Sequence, residues 1–254
     1  MSDEVQVVRR GPIQIITINR PAAKNALNLA VATGVRDAVD QLDADEELRV
    51  AILTGAGGNF SSGMDLKAFL AGESPEIEGR GLCGITETLP RKPLIGAVEG
   101  WALAGGFELL LACDLIIAGR TARFGVPEVK RGLVAGGGAA LLLGRRIAPT
   151  HALQLLLTGD PISAERAAQI GLVNSVVEEG KAVDGALELA DRICQNGPLA
   201  VAVTKQISKS APDWTTSEGW KRQRKLMEPV FYSEDAREGA TAFAERRSPV
   251  WKGR

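Results

Sequence analysis

Two glutamates twenty residues apart, Glu108 and Glu128, stand where carboxylates are unusual. Glu108 lies in Gly105-Gly106-Phe107-Glu108-Leu109-Leu110-Leu111-Ala112, which reads as a helix apolar almost all round and therefore buried. The two glycines at its start allow another group to approach the N–H donors that a first helical turn leaves free. That combination describes an anion site with a carboxylate beside it. Glu128 follows Pro127 in Phe124-Gly125-Val126-Pro127-Glu128-Val129, shortly before Gly136-Gly137-Gly138. Two carboxylates near helix-terminal amides can move protons next to a developing oxyanion. On spacing alone the plainer alternative weighs more: Glu108 as a dipole partner and Glu128 as a solvated loop charge, since first-turn glutamates are common.

The elements that must position this pair follow from the pattern around it. Leu94 to Val98 is a short run of β-formers suited to a buried strand. Before it, Val5 to Val8 and Ile13 to Ile18 flank Gly11-Pro12 as a hairpin, and Asn28 caps a helix with Val31, Val35, Ala38, Val39 and Leu42 on one face. Val50 to Leu53 is a strand ending in Gly55-Ala56-Gly57-Gly58, and Asp65 sits at the start of a further helix. Residues 70–92, with four glycines and two prolines, are expected to form a mobile flap. Helices are predicted over 136–147 and 149–157, with a third capped by Ser163, and then a strand over 173–177. From Val183 onward the chain is predicted all helical, and its aromatics, among them Trp214, Trp220, Phe231, Tyr232 and Phe243, should pack against something.

Several other chemistries are disfavoured. The glycine turn after Val50 to Leu53 has Phe60 where a dinucleotide fingerprint needs glycine. The single histidine, His151, has no GxSxG serine to serve. Cys83, Cys113 and Cys194 are widely spaced, which suggests neither a disulfide framework nor a metal site and fits a cytoplasmic compartment. Thirty basic against 31 acidic residues, a net charge of -1, give no general reason to expect nucleic acid as a partner. The start, MSDEVQVV, lacks a signal-peptide pattern, and no run approaches the roughly 18 apolar residues of a membrane span.

The blocks NRPAAKNALN, GNFSSGMDLKAF, ALAGGFELLLACDLIIA, ARFGVPEVKRGLVAGGG, LTGDPISAERAAQIGLVN and SEDAREGATAFAERR occur in this order over essentially the whole chain. Together they resemble the enoyl-CoA hydratase/isomerase family, the crotonases. The resemblance implies an α/β fold of the ClpP/crotonase type, with repeated ββα units in a spiral over residues 1–180 and a C-terminal helical oligomerisation region over 181–254. It implies an acyl-CoA thioester substrate, in which coenzyme A belongs to the substrate so that no separate cofactor is needed, and a homotrimer or dimer of trimers. Glu108 and Glu128 become an acid/base pair, and the amides of Met64 and Gly105 an oxyanion hole. Ser62, Met64, Asp65, Leu66, Lys67, Gly105 and Gly136 become contacts to the substrate, Lys67 near the CoA phosphates and Gly136 leaving room for water.

Relatives that isomerise, decarboxylate or dehalogenate commonly lack one glutamate of the pair. Retention of both favours hydration of a trans-2-enoyl-CoA over isomerisation and over a non-catalytic acyl-CoA-binding protein. Ala135 departs from the proline that many hydratases carry before the glycine group.

Overall fold

The computed structural model describes residues 3–254. The chain runs through β1 (Val5–Arg10), β2 (Ile13–Ile18), α1 (Leu29–Ala44), β3 (Val50–Gly55), α2 (Leu66–Leu70), β4 (Glu76–Ile77), β5 (Gly81–Leu82), β6 (Leu94–Val98) and β7 (Trp101–Leu103). It continues with α3 (Gly105–Ala112), β8 (Leu115–Gly119), β9 (Arg123–Gly125), a 3-10 turn (Pro127–Arg131), α4 (Ala139–Arg146), α5 (Pro149–Thr158), β10 (Ile162–Ser163), α6 (Ala164–Gln169) and β11 (Ser175–Val177). Four helices close the chain: α7 (Ala182–Cys194), α8 (Pro198–Ser210), α9 (Thr216–Phe231) and α10 (Glu234–Glu245).

β1 and β2 form the expected antiparallel hairpin, and β2, β3, β6, β8 and β11 continue it as parallel neighbours in one six-stranded sheet. Alternate residues of its strands feed two cores. Ile16, Ile18, Ala51, Leu53, Leu94 and Val98 face the larger core with α1 and α3, while Ile13, Val50, Ile52, Ile95 and Ala97 face Ala182, Ala186, Leu187 and Ala190 of α7. A parallel sheet covered on both faces needs strands apolar on both sides, which is why these runs read as continuous rather than alternating. The change of composition near residue 180 is therefore not the edge of the packed core. Helix α7 supplies its second face.

Local signals acted where expected. The Asn28 side chain accepts from Val31 N–H, and the Ser163 hydroxyl accepts from Arg166 N–H. Helix α4 starts three residues later than the sequence suggests, because Gly138 takes φ +127 and leaves the glycine group outside the helix. The segment 70–92 is more tightly held than a mobile flap. β4 and β5 pair within it, Pro75, Leu82, Cys83 and Ile85 are buried, and Arg80 makes two 2.8 Å bonds to Asp40 on α1.

At the base of the sheet, Lys205 of α8 reaches Asp114 at 2.6 Å, with 10% and 13% of the two side chains exposed. Asp114 also accepts from Leu94 N–H at 2.9 Å, so the pair ties α8 to the start of β6. Burial pulls the Lys205 pKa down despite Asp114 beside it. Lys205→Met removes the nearer cation and leaves the buried carboxylate the Leu94 N–H and Lys209 at 3.4 Å. A loss of about 3 kcal/mol is expected in urea unfolding, largely recovered by adding Asp114→Asn.

Candidate active site

Strand β7 holds the site together. On one side Ser61 N–H donates to Trp101 O and Leu103 N–H to Ser61 O, both at 3.0 Å. On the other, β9 runs parallel with Gly125 opposite Leu103, and Ala104 N–H donates to Gly125 O at 3.0 Å. Three segments leave this ladder side by side: Ser62 to Lys67, Ala104 to Glu108, and Val126 to Glu128. The nineteen residues between the glutamates hold the rest of α3 and the strands β8 and β9, so pairing of β7 with β9 brings the chain back beside the start of α3.

The two expected oxyanion amides are adjacent. A Cβ placed on Gly105 would stand 3.7 Å from Met64 N, and one on Gly63 would stand 3.1 Å from Gly105 N. Met64 N–H donates to no backbone oxygen outside regular elements, and Gly105, as first residue of α3, has no intrahelical acceptor. Gly63 cannot be larger. Its φ is +93, and a Cβ would lie 2.7 Å from the Ala104 methyl. Ala104 itself is held at φ +51 and ψ -129, a conformation that costs a non-glycine residue about 1–3 kcal/mol.

Met64 is set in place from both sides, since Leu27 N–H donates to Gly63 O at 2.8 Å and Asp65 N–H to Leu27 O at 2.9 Å. Arg20 locks that arrangement by donating to Ala26 O at 2.6 Å and to Asp65 Oδ2 at 2.9 Å. Asp65 caps α2 by accepting from Lys67 and Ala68 N–H. Burial opposes its ionisation, but Arg20 and these two amides outweigh it and hold the carboxyl below its usual pKa.

Glu108 is 4% exposed. Its Oε1 accepts from Ala139 N–H at 3.0 Å, at the first turn of α4. Burial is the main force on it. Against the pull of the Ala139 and Gly137 amides, and with the Glu128 and Glu76 charges adding to it, burial pushes the carboxyl up to about 7. Glu128 sits in the first turn of the 3-10 segment with its Oε2 buried and without a partner, and burial raises its pKa too, against its own amide and Arg131. Such a pair can keep a single proton between its two carboxyls up to about pH 7.

The other expected residues fall in two groups. Ser62 and Asp65 are part-buried beside Met64, whereas Leu66 and Lys67 are exposed on α2. Gly136 is exposed, and a Cβ there would have only Val134 O within 4 Å, at 3.8 Å. The glycine pressed against the carboxylate is its neighbour: a Cβ on Gly137 would lie 2.7 Å from Glu108 Oε2. Gly137 and Arg20 were not singled out by sequence reasoning. Both lie in recognisable blocks, but only distances distinguish them from their neighbours. Leu82 and Glu76, across β4 and β5 from each other, carry no sequence signal at all.

Among the described residues, no three His, Cys, Asp or Glu side chains gather to hold a metal ion, and no helix is long and apolar enough to cross a membrane.

This is the architecture of a crotonase-type α/β enzyme fold. An enoyl-CoA hydratase from Mycobacterium tuberculosis H37Rv superposes with a TM-score of 0.98 at 58% identity, and one from Mycobacterium marinum with 0.98 at 57%, each over 100% of both chains. Among curated proteins, the carnitinyl-CoA dehydratase of Salmonella enteritidis PT4 is 42% identical, with both chains fully covered. The family model for enoyl-CoA hydratase/isomerase matches residues 9–254, and the chain belongs to that family.

The raised pKa of Glu108 has a stability consequence. Between about pH 4.5 and 7 the folded chain keeps a proton that the unfolded chain has released, so ionising Glu108 costs stability as pH rises through that window. Glu108→Gln removes the cost. Its unfolding midpoint is expected to match the unsubstituted protein near pH 4.5 and to exceed it at pH 8, by on the order of 2–3 kcal/mol. Thermal unfolding at the two pH values measures the difference.

Proposed function

We propose that this chain is an enoyl-CoA hydratase, adding water syn and reversibly to a trans-2-enoyl-CoA to give a 3-hydroxyacyl-CoA. The observation that carries the reading is a buried carboxyl with a pKa of about 7, a second carboxyl with an unpartnered oxygen, and two free amides beside them. The thioester carbonyl oxygen binds between the amides of Met64 and Gly105, which stabilise enolate character as it develops. Ionised Glu108 takes a proton from water as that water attacks Cβ. Protonated Glu128 delivers a proton to Cα, and exchange with solvent resets the pair. Gly137, with Gly136 beside it, leaves room for the water next to Glu108. Ser62, Asp65, Leu66 and Lys67 border the coenzyme A moiety, with Lys67 close to its phosphates.

The chemistry needs no cofactor beyond the coenzyme A of the substrate. Residues 181–254, apart from the core helix α7, are the proposed oligomerisation region. Trp220, Phe231, Tyr232 and Phe243 are between 58% and 87% exposed, an apolar surface that a trimer, or a dimer of trimers, would cover.

A second reading has its own support. The Salmonella relative is named a carnitinyl-CoA dehydratase. Elimination of water from a 3-hydroxyacyl thioester is the same reaction reversed, and the Glu76 charge felt at Glu108 would favour a cationic acyl end.

Loss of the conjugated-thioester absorbance on adding the protein to trans-2-enoyl-CoA esters tests the proposal. Glu108→Gln and Glu128→Gln are each expected to lower kcat by on the order of a hundred-fold or more. The rate follows the singly protonated pair, so it should rise with pH as the first of the two protons leaves and fall through about 7 as the second does. Binding of the esters without turnover would overturn the hydratase reading.

A further inference from the structure

We propose that Leu82 sets the size limit of the acyl group, so that the site, on the hydratase reading above, is built for short 2-enoyl chains. Leu82 is 4% exposed and ends β5. One of its methyl groups touches both walls of the site. A Cβ on Gly105 would meet Leu82 Cδ2 at 3.2 Å, and a Cβ on Gly137 would meet the same atom at 2.9 Å, beside Glu108 Oε2 at 2.7 Å. An acyl group whose carbonyl oxygen lies on the Met64 and Gly105 amides, and whose Cβ lies within reach of a water on Glu108, must pass this methyl.

The leucine is also fixed. Its N–H donates to Thr86 Oγ1 at 2.9 Å, and its carbonyl accepts from Ile85 N–H at 3.2 Å. The next residue, Cys83, is fully buried at φ +50 and donates its N–H to Pro75 O at 2.9 Å. Arg80, two residues before Leu82, is fork-bonded to Asp40 of α1. Both ends of the hairpin are therefore anchored, and the isobutyl group is a wall rather than a gate. A wall of fixed position discriminates by chain size, because a group too large for the space meets close-packed atoms that do not yield.

The test compares kcat/KM for crotonyl-CoA and trans-2-decenoyl-CoA in the unsubstituted protein, Leu82→Ala and Leu82→Phe. A ratio of two substrates on one sample is independent of the fraction folded, so partial loss of fold in a variant does not confuse it. The unsubstituted protein is expected to favour crotonyl-CoA. Leu82→Ala should move the ratio toward decenoyl-CoA by about ten-fold or more, and Leu82→Phe should move it the other way. An unchanged ratio in Leu82→Ala, or a preference of the unsubstituted protein for the longer ester, overturns the proposal while leaving hydration intact. Turnover of neither ester by the unsubstituted protein removes the hydratase reading, and the size limit with it.

Discussion

The turn from β7 into α3 is the constraint on which the site depends. There the chain must leave a strand that is paired on both sides and enter a buried helix within one residue. Ala104 makes that turn at φ +51, held by its N–H to Gly125 O and by Glu108 N–H donating to Ala104 O. The strain is local and is offset by the packing that surrounds it. Its consequence is that the Gly105 amide lies beside the Met64 segment. The Ala104 methyl abuts Gly63, so the backbones that carry the two amides are in contact. If the two amides are the oxyanion donors proposed above, the backbone settles their positions before charge develops.

The carboxyl pair shows two opposing forces. Helix-terminal amides favour a charged Glu108, and burial disfavours it more strongly, leaving a group that exchanges its proton near neutral pH. Glu128, less buried, has one oxygen without a partner, which a proton or a substrate contact would satisfy. A fully apolar site would keep both carboxyls neutral and a solvated one would ionise both. The structure lies between, where one can accept a proton while its neighbour holds one.

The scaffold around the pair is stiff. Strand β7 is paired on one flank to the segment before Met64 and on the other to β9, and the six-stranded sheet below it is covered on both faces. Displacement of any one of the three site segments would break a backbone ladder, so the geometry is held by hydrogen bonds rather than by side-chain packing alone.

Local structure was legible in the residues themselves. The hairpin across Gly11-Pro12, the Asn28 and Ser163 caps, the burial of α3 and the four C-terminal helices all follow from capping and hydrophobic period, which act over a few residues. The adjacency of Glu108 and Glu128 could be read only with the ordered family motifs, since a twenty-residue separation says nothing about distance. What only the tertiary structure decided is of another kind. Gly137 rather than Gly136 meets the carboxylate, Arg20 braces the Met64 segment, and the 70–92 segment lies down as a hairpin with Leu82 against the site. The assignment of α7 to the core, on the far side of the composition change, is of that kind too. Each depends on contacts between segments remote in sequence. Local propensity has no means of encoding such contacts. They are set by which faces the sheet leaves to be buried.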